Sequence, residues 1–319
     1  MYRITTGAPV PDGAVAIVMV EDTKLIEHDN EMNEIRIEIL SNTIHGANIR
    51  QVGSDMNVND IVLEKDCVIS SFGGEIGLLV SANVLKVQIY ERPIVGILST
   101  GSELVDFDHT DEIPYGFIRD ANRPSLKSAI ASAGFKCVDL GIVKDSVDSI
   151  ESILRTGLET CHVIITTGGV SMGELDLLKP IIEQKINGKI HFGRVALKPG
   201  KPTTFATVGE KLIFSLAGNP VSAMVTFHLF VIPALNLMCG GDYKHNWVTC
   251  KLAHDIDLDS FRVEFKRCKV QVVAGAFVAF VTGKQHSSRI QSLVCNGLLK
   301  CPMGARLLKN DECEVLLLS

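Results

Sequence analysis

Three short loops carry the side chains and bare backbone that could do chemistry in this sequence. Ser99-Thr100-Gly101-Ser102-Glu103 offers hydroxyls, a glycine that permits close approach and a carboxylate. The stretch from Thr166 to Asp176, with Gly168-Gly169 and Ser171, frees backbone N–H groups where a helix would begin, and such donors together with the helix dipole favour an anion. Leu216-Ala217-Gly218-Asn219-Pro220-Val221-Ser222 is the third. Taken singly, each is equally an ordinary strand-to-helix turn. Three on one sheet edge favour a ligand crevice, because open α/β sheets bind at the carboxyl ends of their strands.

Charged side chains stand at matching places. Asp120 and Asp176 fall where helices begin after strands, and two carboxylates at one sheet edge suit a Mg²⁺ held against a phosphate. Either one alone is also an ordinary helix N-terminal charge. Lys198-Pro199-Gly200-Lys201-Pro202 sets two cations on a loop stiffened by two prolines, which suits a small oxyanion and is otherwise a solvated turn. Arg267 and the run Gln285-His286-Ser287-Ser288-Arg289 are polar groups beside strands. No G-x-S-x-G elbow and no Cys/His/Asn pattern points to a hydrolase.

The elements that must position these loops are legible in the apolar pattern. Residues 93–240 alternate strand-like runs with helical ones: strands at 93–98, 135–140, 162–166 and 212–216, and helices at 123–133, after Ser146, at 174–184 and from Pro220. Asn122 is placed to cap the helix over 123–133. After Gly240-Gly241 short β-type runs separated by turns predict a small β domain over 241–319. The first 92 residues hold strand patterns at 16–20 and 35–40 and a helical pattern at 71–81, without a self-contained alternation. They divide into a partial β-rich module, 1–45, and a partial elongated module, 46–92. The expected fold class is therefore α/β: a central doubly wound domain with N-terminal β-rich partial modules and a small C-terminal β domain.

Composition bounds the rest. The 319 residues carry 31 basic and 37 acidic side chains, a net charge of −6, with 46% hydrophobic residues, so disorder is excluded and there is material for more than one core. No Lys/Arg-rich run supplies the footprint of a nucleic-acid binder. The nine cysteines include no C-x-x-C pair, which argues against structural zinc, and several sit in apolar runs as reduced thiols, so a cytoplasmic location is expected. Leu212–Gly241 is thirty residues without Asp, Glu, Lys or Arg, but Gly218-Asn219-Pro220 breaks it into strand, turn and buried helix, and no transmembrane segment is expected.

The motifs STGSEL (99–104), IRDANRPSL (118–126), LGIVKD (140–145), TTGGVSMGELD (166–176), HFGRVALKPGKPTTFA (191–206) and AGNPVSAMVTFHLFVIPAL (217–235) resemble those of the molybdenum insertase family, which includes bacterial molybdopterin molybdenumtransferase and the gephyrin E domain. TGAPVPDGA (6–14), VGSD (52–55), EFKRC (264–268), TGKQHSSR (282–289) and NGLL (296–299) extend the resemblance over essentially the whole sequence. It implies a transferase that binds adenylylated molybdopterin and molybdate, cleaves the adenylate with Mg²⁺, releases AMP and leaves molybdenum on the dithiolene. By the same resemblance, the pterin substrate is expected at Thr100, Gly101, Glu103, Gly168, Gly169, Ser171, Asn219, Pro220 and Ser222. Mg²⁺ is expected at Asp176 and Asp120. Molybdate is expected at Lys198, Lys201, Arg267, Ser287 and Ser288, the two lysines serving catalysis with the two aspartates.

A homodimer is expected, with 46–92 in its contact, and the alternatives are a gephyrin-like scaffold that binds receptor peptides or a catalytically inactive paralogue. Departures from the family pattern are Val15 after Gly13-Ala14, Ala217 where proline is common, and no adenylyltransferase domain, so that an adenylyltransferase partner or a longer chain would supply the preceding step. The sequence also begins close to the TGAP motif. The family's N-terminal segment is thus expected to be missing, and the chain alone to form a weakly active or poorly behaved dimer.

Overall fold

Four parallel strands, two of them buried along their whole length, build the centre of the α/β domain. The computed structural model describes every residue except Met32, Ser71, 171–176, Asp242, Lys284, Ser287, Ser288 and Ser319. The chain divides into two compact units, Met1–Leu85 and Lys86–Ser319.

In the first unit β1 (Thr23–His28) and β2 (Glu34–Ile39) form an antiparallel pair, and α1 (Gly74–Ser81) is a short helix. The strand expected at 16–20 is absent. A turn takes its place, in which the Asp22 N–H donates to the Met19 carbonyl and the Thr23 hydroxyl to that of Val20, so these groups are satisfied locally and strand pairing starts only at Thr23. The helix expected from residue 71 starts at Gly74; just before it the Glu75 carboxylate accepts from the Ser70 N–H and hydroxyl. None of the described residues of this unit is buried.

The second unit begins with β3 (Val95–Thr100), two short strands β4 (Leu104–Val105) and β5 (Ile118–Arg119), α2 (Asn122–Ser132), β6 (Cys137–Val143), α3 (Val147–Thr160) and β7 (Val163–Thr167). It continues with α4 (Leu178–Pro180), which runs into a π-helical turn at Ile181–Lys185, then β8 (Lys189–Phe192), β9 (Leu197–Lys198), β10 (Thr204–Val208) and β11 (Lys211–Leu216). A long helix follows as α5 (Pro220–Thr226), a π-helical stretch Phe227–Val231 and α6 (Ile232–Met238).

The sheet order is β6-β3-β7-β11-β10-β8, with the first four strands parallel and β10 antiparallel to both of its neighbours. β3 and β7 are buried along their whole length, as expected for strands covered on both faces. The faces alternate. Ile97, Val163 and Ile165 pack with Leu126 and Ile130 of α2 and with Phe227 and Leu235 of the long helix, whereas Leu98 and Ile164 pack with Ile150 and Leu154 of α3 and Leu178 and Ile182. This is the doubly wound α/β domain expected from the sequence. Ser146 caps α3 as anticipated, accepting from the Ser149 N–H. The long helix is apolar and long enough to cross a membrane, but its Ala223, Phe227, Val231 and Leu235 are core residues against the sheet.

Asn122 does not cap α2. It is the first helical residue, and Asp120 does the capping: its Oδ1 accepts from the N–H groups of Asn122 and Arg123. A carboxylate two residues before the helix competes better for those donors, and the Asn122 amide is drawn away to the Gly218 carbonyl at 2.7 Å.

The C-terminal β region contains β12 (Trp247–Leu252), β13 (Ile256–Asp257), β14 (Val263–Val273), β15 (Ala276–Val281), β16 (Gly297–Cys301), β17 (Arg306–Leu307) and β18 (Glu312–Leu317). β12, β18, β16, β14 and β15 close on themselves through the β14–β15 pair. β9, from the middle of the α/β domain, adds to this sheet by pairing in parallel with Val263–Glu264. All nine cysteines are free, and burial pushes the thiols of Cys137 and Cys313 up to about 11.

Candidate active site

The three loops singled out in the sequence meet. At the carboxyl ends of β3, β7 and β11 a cavity of about 340 Å³ is lined by Thr100, Gly101 and Glu103 of the first loop, Gly168 and Gly169 of the second, and Gly218 and Pro220 of the third. Contact is tight enough to fix residue type. Gly168 has φ +86°, and a Cβ there would lie 2.3 Å from the Thr100 carbonyl oxygen; at Gly169, φ +66°, it would lie 2.9 Å from the Thr100 hydroxyl. Gly218 packs against the Gly168 Cα. Below them the Ser99 and Thr167 hydroxyls share a hydrogen bond of 3.0 Å, and Thr100 Oγ1 donates to the Thr167 carbonyl. The loops thus present bare backbone to a shared hollow, as phosphate-binding turns do.

Carboxylates ring that hollow. Asp120, Asp145 and Glu103 all line it. Asp145 is locked by a reciprocal pair, accepting from the Ser102 N–H while its own N–H donates to Ser102 Oγ. Asp120 is buried, with Oδ1 spent on α2 and Oδ2 left without a hydrogen bond, 3.4 Å from Nη1 of Arg123. Hard oxygen donors of this kind suit Mg²⁺. Among the described residues no three acidic, His or Cys side chains converge as a metal site; Asp176 and Ser171 lie outside them.

Asn219 and Ser222 are joined at the start of α5. Asn219 caps α5, its Oδ1 accepting from the Ser222 N–H, and of the third loop only Gly218 and Pro220 line the cavity.

The cationic loop lies elsewhere. Lys198 Nζ stands 3.4 Å from Asp259 and 3.4 Å from Glu264, and the buried Glu264 also pairs with Lys266 at 2.9 Å. The Phe261 N–H above all, against the cost of burial and with help from Lys198 and the Arg262 N–H, lowers the Asp259 pKa to about 2. Gly200, φ +107°, abuts the Thr226 methyl and seats the loop on α5. Lys201 is exposed. Arg267 is fully buried, and its guanidinium donates to Ser292 Oγ and to the carbonyls of Phe265 and Gln285. Strand alternation puts Arg267 on the face of β14 opposite Glu264 and Lys198. Lys198 is thus paired with carboxylates, while Arg267 is held by Ser292 and two backbone carbonyls. Ser287 and Ser288 lie outside the described residues.

Sequence reasoning missed Asn122, Arg119 and Asp145 as cavity residues. Each stands in a motif noted for its family resemblance, IRDANRPSL or LGIVKD, but spacing alone carries no sign of which members reach the hollow. Arg123 was missed too. It is buried against Asp106, Asp139 and Asp120; burial opposes its charge, and those carboxylates, Asp106 first, still raise its pKa.

Three family descriptions tile the chain: the MoeA N-terminal region (domain I and II) over residues 1–83, a probable molybdopterin binding domain over 96–237, and the MoeA C-terminal region (domain IV) over 249–318. A molybdopterin molybdenumtransferase of Staphylococcus aureus is 32% identical over 95% of this chain and 70% of its own length. The chain belongs to the molybdopterin molybdenumtransferase family. Other members are similar: gephyrin of Dictyostelium discoideum is 40% identical over 94% of this chain, and the molybdenum cofactor synthesis protein cinnamon of Drosophila melanogaster is 39% identical over 92%. The chain spans less than half the length of those two relatives, 45% and 48%. Two solved molybdopterin biosynthesis MoeA structures from Pyrococcus horikoshii superpose with TM-scores of 0.77 and 0.73 at 26% identity, covering 99% and 98% of this chain and 75% and 74% of theirs. The cavity belongs wholly to the segment matching the molybdopterin-binding description.

Proposed function

We propose that this chain inserts molybdenum into adenylylated molybdopterin during molybdenum cofactor biosynthesis. The observation that carries the reading is the convergence of the Thr100, Gly168-Gly169 and Gly218 loops on one hollow where no side chain fits at Gly168. The bare backbone there would admit a phosphate of the pterin substrate to close range, with Ser171 proposed as a further contact, and Glu103 would orient the substrate at the rim. Asp120 and Asp176 would hold Mg²⁺, which would offset charge on the phosphoanhydride as it breaks. Lys198 and Lys201 are the residues proposed for molybdate. Arg267, which donates to two carbonyls and Ser292, is proposed with them, and Ser287 and Ser288 complete the proposed set. The chain is proposed to work in the cytoplasm as a homodimer, the second copy covering apolar side chains such as Val58, Ile61, Val68 and Phe72, which are exposed in the first unit.

The test is incubation with adenylylated molybdopterin, molybdate and Mg²⁺, reading AMP release and reconstitution of an apo-molybdoenzyme. Wild type is expected to release AMP. Asp176→Asn is expected to abolish release while still binding the pterin, since the side-chain volume is kept and the metal-holding charge removed. Normal turnover by that variant would overturn the assignment of Asp176, and no AMP from wild type would overturn the proposed reaction.

A further inference from the structure

Between β3 and α2 the chain leaves the sheet as a strap, residues 101–120. Its two arms are joined by the short parallel pair β4–β5: the Ile118 N–H donates to the Glu103 carbonyl at 3.0 Å and the Asp120 N–H to that of Val105 at 2.9 Å. Leu104, Ile118 and Asp120 of this strap form one wall of the cavity. The middle of the strap carries exposed Phe107, Tyr115 and Phe117, which contribute no buried core to hold it down.

What fastens it is a buried cation. Arg123 Nη2 donates to both carboxylate oxygens of Asp106 at 2.7 Å, Nε stands 2.8 Å from Asp139 Oδ1 on β6, and Nη1 stands 3.4 Å from Asp120 Oδ2. Phe107 lies under the guanidinium, its ring centre 5.8 Å from the central carbon. One side chain on α2 thus ties together the strap, the sheet and the cavity's buried carboxylate. The Arg123 side chain is only 3% exposed and the Asp106 side chain 45%, so the pair joins a fixed anchor to a releasable hook. Asp139 and Asp120 also face the guanidinium, so loss of the Asp106 pair would leave the buried charge partnered.

We propose that Arg123 is a positioning residue that latches the strap through Asp106 and thereby fixes the cavity wall formed by Leu104, Ile118 and Asp120. The latch itself follows from the geometry; its effect on turnover rests on the function proposed above.

The test uses the whole chain with Asp106→Asn, a change at a half-exposed site that leaves the core intact, and Asp106→Glu as the conservative rescue. Amide hydrogen exchange at Ile118 and Asp120 is expected to quicken by about tenfold in the asparagine variant, as loss of a charge-assisted pair implies, with β3 and β7 unchanged. Glutamate is expected to restore protection. In the insertion assay KM for adenylylated molybdopterin is expected to rise severalfold while kcat holds. Unchanged exchange at Ile118 and Asp120 in Asp106→Asn overturns the latch. Faster exchange with unchanged KM supports the latch and counts instead against this cavity as the pterin site.

Discussion

Gly168 shows how much a single position can decide. Its φ of +86° is strained for any side chain, and a methyl group would meet a backbone oxygen that cannot swing aside. Gly168→Ala is therefore expected to cost about 1–3 kcal/mol of stability and to abolish pterin binding, because the Thr100 loop must move away for the chain to fold. Urea unfolding measures the first effect and equilibrium binding the second; unchanged binding would remove this turn from the site. The glycine pair was legible in the sequence as a type and a place. Its reason was not, since the need for bare backbone comes from Thr100, 68 residues away across the β3–β7 pair. Asp120 teaches the complementary lesson. A carboxylate before a helix was expected as metal ligand or as helix charge, and the structure shows one oxygen engaged as a cap and the other buried without a hydrogen bond.

Elements were read more reliably where burial is two-sided. β3, β7 and β11 are close to their expected ranges because a buried parallel strand writes an unbroken apolar run, and α3 because Ser146 and its apolar spacing agree. The strand expected at 16–20 failed for the opposite reason: its residues are at most half-buried, and the Ile17 backbone bonds to Ala47 and Asn48 in a turn rather than to a strand. β9 could not be foreseen at all, since two residues carry no period, and its partner lies in β14, 66 residues further on. Its consequence can be tested by pH. Asp259 ties Lys198 to the turn before β14, and its folded pKa of about 2 lies below the ordinary 3.8. A depressed carboxylate pKa adds stability that is fully present above the unfolded value and lost as pH falls through the folded one. Wild type is expected to lose stability between about pH 4 and pH 2 more steeply than Asp259→Asn, with the two curves converging at the acid end. Parallel urea-midpoint profiles would refute the role given to Asp259.

At the scale of the whole molecule the two units differ in kind. Lys86–Ser319 holds all the buried residues that are described, whereas Met1–Leu85 exposes Val58, Ile61, Val68 and Phe72. Contiguous apolar surface of that sort marks a contact face, and the proposed occupant is a second copy. Sedimentation equilibrium is expected to give twice the 34.6 kDa of one chain; a monomer at micromolar concentration would mean that a second copy does not cover it. β9 has one more consequence, and it concerns inheritance. The first residues of β14 find their outer neighbour in a strand encoded between β8 and β10, inside the other sheet's own sequence. A recombination event that moved the C-terminal barrel alone to a new protein would leave that edge bare, an invitation to pair with strangers. A transplanted barrel would therefore need to carry this seam of two residues with it.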